Sequence, residues 1–210
     1  YRRQRQMCIR DREIKTYQIR LEDLKFKVFL CNLSKDELRK QGKVHALRYI
    51  EWGENKGYQN KPTCRARNPW WALGERKIGS LASMMSYNTR FPFWLNDIAL
   101  CDARLYDIYK KLDISSELLA SVLNTTLVPI IIELTGRANL GEGALDFKVY
   151  ETAEILVVNP KIFSQSQTQQ LLQAFNQMAN REIKSIFEEL GLPKPNRDLS
   201  NINPDDVSLN

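Results

Sequence analysis

"SLASMMSYNTRFPFWLNDIALCDARLYDIYKK", Ser80 to Lys111, separates an all-helical chain from a mixed one. Its branched and aromatic residues come in short runs separated by polar clusters and show no helical spacing. That predicts extended strands, with Ser86 to Arg90, "SYNTR", as the turn between the first two. Immediately afterwards the period changes. With Ser115 or Ser116 as cap, Leu119, Val122, Leu123, Leu127, Ile130, Ile131 and Leu134 follow helical spacing, which predicts one helix to about Leu134, kinked at Pro129. Strands followed by helices, without regular alternation, point to an α+β fold of mixed helices and short strands.

Reading outward toward the N-terminus, Ile14 to Cys31 is rich in branched and aromatic residues and predicts two strands around the polar "LED". Ser34 with Glu37 three residues on is a capping box opening a helix. Gly42 breaks it, and "KVHALRYIEWGENK" is helical by the spacing of Ala46, Leu47 and Ile50, stopping at Gly57. Toward the C-terminus, "TGRANLGEGALD" reads as a loop and "FKVYETAEILVV", Phe147 to Val158, as a strand. Gln167 to Leu190 reads as one long helix ended by Gly191 and Pro193. The organisation expected is a strand segment over 1–33, one domain over 34–192, and a linker or disordered tail over 193–210.

The 210 residues are 43% hydrophobic and 27% charged, enough for a real core. Lys and Arg number 31 against 25 acidic residues, and this +6 balance favours an anionic partner. No apolar run approaches the roughly 20 residues of a bilayer crossing, so no membrane partner is expected. Four dispersed cysteines without a C-x-x-C pair suggest neither a zinc site nor a disulfide framework; reduced thiols fit a cytoplasmic location. With His45 the single histidine, triad or histidine acid–base chemistry has almost no material. The opening "YRRQRQMCIRDREIK" lacks the apolar segment of a secretory signal and an initiator methionine, which reads as a piece of a longer chain.

Within this frame one loop stands out. "CRARNPWW", Cys64 to Trp71, sets two arginines beside two indoles. Arg65 and Arg67 suit phosphates or guanine edges, and Trp70 or Trp71 suits base stacking or packing beneath a loop. Adjacent residues of an extended segment point to opposite sides, so one tryptophan is expected in the core and the other facing a ligand or neighbour. The plain structural alternative buries both. "NPWW" lacks the second proline of the N-P-P-aromatic loop of adenine methyltransferases and follows no strand, so no catalytic role attaches to it. A second loop carries Arg137, Asn139 and Lys148 among glycines that allow close backbone approach to phosphates, or form a plain turn. Asn124 and Thr125 are explained by hydrogen-bond repair near Pro129. Neither "EIK" run, at Glu13 or Glu182, has the partners to hold a metal.

Four segments taken together, "YIEWGENKGYQNKPTCRARNPWWAL", "MSYNTRFPFWLNDIALCDARLYDIY", "LLASVLNTTLVPIIIELTGRANLGEGALDFKVYE" and "REIKSIFEELGL", resemble the target-recognition region of N6-adenine DNA methyltransferases of restriction-modification systems, including fused methylase-endonucleases. The resemblance spans about residues 33–192 and is most specific at R-x-x-W-W and at N-T-T-L with "GRANLGEGALD". It implies a domain that grips double-stranded DNA beside a catalytic domain of the same chain, which holds S-adenosylmethionine and extrudes the adenine. It implies no cofactor and no catalytic residue in this piece. The DNA contacts expected are Arg65, Arg67, Trp70 or Trp71, Arg137, Asn139 and Lys148, with Arg90 and Arg104 as lesser candidates. Two other classes are a non-catalytic protein-interaction module, docking through its long C-terminal helix, and an RNA-binding domain stacking unpaired bases on its aromatics.

Overall fold

The computed structural model describes the backbone of residues 5–9 and, with side chains, residues 14–138 and 144–192. The architecture is α+β, helices with short strands in small sheets, and the chain divides into two compact units: Tyr1–Met7 with Phe26–Lys77, and Cys8–Lys25 with Ile78–Asn210.

β1 (Arg5–Ile9), which begins in the first unit, runs beside that unit's β2 (Phe26–Phe29). Helix α1 (Lys35–Lys40) starts where the capping box requires: Ser34 Oγ accepts the Glu37 N–H at 3.2 Å and the Glu37 carboxylate accepts the Ser34 N–H at 2.8 Å. Gly42, at φ +64°, turns the chain into α2 (Val44–Asn55), and Gly57, at φ +72°, ends that helix. Ala46, Ile50 and Gly53 form the buried stripe of α2. Cys31 and Leu38 join Ala46 and Ile50 as the core, with Phe29, Leu33, Leu47, Trp70 and Trp71 packed around it. A 3-10 turn (Tyr58–Asn60) and the short α3 (Pro62–Arg65) then lead into the arginine–tryptophan loop.

The second unit is built on β3 (Leu81–Met84), which lies between β5 (Phe93–Leu95) and β7 (Leu105–Ile108) in an antiparallel sheet, Ala82 facing Trp94 on one side and Asp107 on the other. Between them in sequence come β4 (Ser86–Tyr87) and β6 (Ala99–Cys101). Helix α4 (Ser116–Leu123) packs against β5, and α5 (Leu127–Thr135) follows. β8 (Leu145–Asp146) pairs with β4, then come α6 (Val149–Ala153), α7 (Gln165–Ala179), which packs on α4, and α8 (Ile186–Glu189). Trp94, Tyr87, Phe93 and Phe147 are the largest sealed side chains.

Four expectations are corrected. The helix predicted to about Leu134 is two helices meeting at 59°, and the break, at Asn124–Thr126, lies ahead of Pro129. Asn124 makes it: its amide exchanges hydrogen bonds with the Phe93 backbone (3.0 and 2.8 Å), capturing the edge of β5. Pro129 sits in the first turn of α5, where a missing N–H is harmless. The Phe147–Val158 strand does not form: its middle is helix α6, whose turn the Glu151 carboxylate closes by accepting the Lys148 N–H at 2.6 Å, and residues 155–158 have no regular structure. The long C-terminal helix stops at Ala179, because Ile183 leaves it to donate its N–H to the Lys15 carbonyl at 2.7 Å. Of the two strands around "LED", β2 forms, whereas residues 14–19 are an extended segment held by single bridges, Thr16 to Glu182 and Gln18 to Leu95. The 193–210 tail lies outside the described residues. Among the described residues no single helix is long and apolar enough to cross a membrane.

Candidate nucleic-acid interface

The arginine–tryptophan loop is anchored by its indoles and exposes its cations. Trp71 donates its ring N–H to the Leu33 carbonyl at 3.3 Å, and Trp70 donates to Glu54 Oε1 at 3.4 Å. Lys35 holds the other oxygen of that carboxylate at 2.5 Å. The two rings meet edge to face, centroids 5.7 Å apart. Both are half-buried against the first unit's core, so the expected split into one sealed and one outward tryptophan is replaced by two equivalent anchors. The loop is not the extended segment that the alternation argument assumes: α3 and turns precede the rings. Arg65, on α3, and Arg67 are exposed, and no carboxylate of the described residues pairs with either.

Arg67 and both indoles line one cavity of about 230 Å³, shared with Phe29, Tyr49, Trp52, Gly53, Tyr58 and Cys64. Tyr49 and Trp52 stack at 5.6 Å on the solvent side of α2, and Tyr58 meets Trp52 edge to face. These three residues belong to the candidate surface although the sequence reading passed over them. The signal was present: Tyr49 and Trp52 lie one turn apart, off the Ala46–Ile50–Gly53 stripe that α2 buries, and Arg48 of the same helix and Lys56 at its C-cap are exposed.

The remaining candidates lie in the second unit and are differently placed. Lys148 Nζ sits 2.7 Å from Asp146, and this hydrogen bond raises the ammonium pKa against the opposing effect of burial. Arg137 lies 4.0 Å from Asp146, with Nε 3.0 Å from Glu151 but off line; its hydrogen bond to that carboxylate runs from Nη2 at 3.1 Å. The Arg137 and Asp146 backbones also bridge, so this is a closed ion cluster pinned across a strand pair. Arg90 is half-buried and donates to the Ile14 carbonyl at 3.4 Å. Arg104 is exposed on the turn that Asp102 closes. Asn139 lies outside the described residues. No three His, Cys, Asp or Glu side chains gather to hold a metal ion among the described residues.

Charge follows the same division. Residues 26–77 carry twelve lysines and arginines against five carboxylates, whereas residues 78–210 carry eleven against sixteen. The chain's positive balance therefore belongs to its first part, the region of the exposed arginines.

The model of one protein family, the C-terminal domain of the Type II methyltransferase M.Eco57I, matches residues 5–191, most of the chain. No curated protein sequence matches it.

Proposed function

The chain belongs to the family of the Type II methyltransferase M.Eco57I C-terminal domain, and on that premise we propose that it is the DNA target-recognition module of an adenine-N6 methyltransferase of a restriction-modification system. Its task is to grip double-stranded DNA while a catalytic domain of the same chain methylates the adenine. S-adenosylmethionine and the transfer step belong to that domain; no N-P-P-aromatic sequence occurs between Tyr1 and Asn210. The observation that carries the proposal is the concentration of positive charge in residues 26–77, with Arg65 and Arg67 exposed and paired with no carboxylate among the described residues. Phosphates attract such a surface and displace its counterions. Arg65 and Arg67 make the principal contacts, and Trp70 and Trp71 hold their loop. Arg90, Arg104 and Asn139 are secondary. Arg137 and Lys148 contribute less, since a phosphate has to compete with Asp146 and Glu151 for them.

The test is duplex binding by the whole 210-residue chain, followed by fluorescence anisotropy over a salt series. Affinity should fall log-linearly with salt, and the R65A/R67A variant should bind more weakly, with a slope smaller by roughly 0.9 for each phosphate that is no longer neutralised. No duplex binding at low salt, or tighter binding to single-stranded RNA in competition, would overturn the proposal.

A further inference from the structure

The aromatic cavity of the first unit calls for a ligand that a phosphate-binding surface does not require. Cavities walled by rings hold cations against the ring faces, stack flat π-systems, or bed apolar and proline-rich segments. A cation is disfavoured here, because Arg67 is part of the lining and residues 26–77 are strongly basic. A neutral apolar segment would leave that positive charge unanswered, so the guest that matches both the rings and the charge is a flat ring tethered to negative charge. At about 230 Å³ the cavity is below the roughly 300–1,000 Å³ of drug-sized sites, so it admits one ring system and leaves the rest of the molecule outside.

The walls are set before any guest arrives. Trp70 and Trp71 are fixed by Glu54 and Leu33, and Gly53 leaves room for Trp70 to lie directly on α2. Tyr49 and Trp52 keep 53% and 46% of their surface exposed at the mouth, large rings left in water on a helix that already has its buried stripe. We propose that this cavity receives one unpaired nucleobase of DNA, its ring against the aromatic walls and its phosphate on Arg67. The inference rests on the DNA-binding reading above and deepens it: a base within an intact duplex hides its faces in the stack, so the cavity selects a nucleotide that is already out of it.

Three labelled duplexes of one sequence test this with the whole chain: fully paired, carrying a single bulged adenine, and carrying an abasic bulge that bends the helix without offering a base. The bulged adenine should bind about fivefold to a hundredfold tighter than the other two, the range that one base stacked on an aromatic side chain supplies. Cys64, half-exposed in the cavity lining, should be alkylated more slowly in that complex alone, with Cys101 of the second unit as internal reference. In Trp52→Ala the ratio between bulged and paired affinities should fall to about one. Equal affinities with unchanged Cys64 alkylation overturn the cavity's role and leave duplex binding standing; if none of the three duplexes binds, both readings fall together.

Discussion

Gly53 lies in the last turn of α2, where glycine is still worse than alanine by helix propensity, by up to about 1 kcal/mol. A Cβ at that position would meet the Trp70 ring at 2.6 Å, so the absent side chain is what lets the indole reach Glu54 and wall the cavity. Gly53→Ala is therefore expected to destabilise the first unit by roughly 1–2 kcal/mol despite its better propensity, because overpacking outweighs the helical gain. Urea unfolding followed by tryptophan fluorescence measures this; an unchanged or higher midpoint would mean that the ring yields at no cost. The glycine is plain in the sequence, but the ring above it is seventeen residues away and is brought there by the fold. Arg137 and Lys148 teach the same lesson for charge. Each reads as a cation available to a phosphate, and Asp146 and Glu151 lie close enough in sequence to warn otherwise, yet only the Arg137–Asp146 backbone bridge and α6 bring the four together.

At the scale of elements, hydroxyl caps are the most readable signals in this chain. Ser34, Ser115, Ser164 and Ser185 each accept a backbone N–H three residues on, and each opens a helix. The Ser185–Glu188 box in particular announces the separate helix α8 within what the apolar stripe suggests is one long helix, since a residue that caps a new helix cannot lie inside an old one. Ser34 and Glu37 permit a direct test. The Ser34 N–H, and then its hydroxyl, bond the Glu37 carboxylate and hold its pKa below the ordinary value. A depressed folded-state pKa stabilises the protein above the unfolded value, and that contribution is lost as pH falls through the folded one. Glu37→Gln should accordingly lose less stability than the parent between neutral pH and pH about 3, by a small margin because the group is exposed. Parallel urea midpoints across that range would show that the carboxylate's charge contributes nothing to α1.

Across the whole molecule the decisive property is uneven charge. Residues 26–77 are basic by seven, more than the full chain's +6, so the rest of the chain supplies no net attraction for an anion. Reversing two exposed cations of the first unit, Arg48→Glu with Lys56→Glu, should lower duplex affinity tenfold or more at low salt, since each phosphate left without its cation removes a counterion-release contribution. The same reversal in the second unit, Lys111→Glu with Lys161→Glu, should change it by less than about threefold. Equal reductions from the two pairs would show that the chain responds to net charge alone, with no localised surface.

The α+β class, the starts of α1, α2 and α4, the glycine stops at Gly42 and Gly57 and the basic stretch around Arg65 and Arg67 are legible in the sequence itself, because each depends on residues within three or four positions of one another. Tertiary structure decided the rest: the end of α7 at Ala179, where Ile183 pairs with Lys15; the bend at Asn124, which captures Phe93; and the anchoring of both indoles beneath α2. These choices depend on backbone and ring partners far along the chain, whose hydrogen bonds and buried surface outweigh local preference and leave no periodic trace in the residues that obey them.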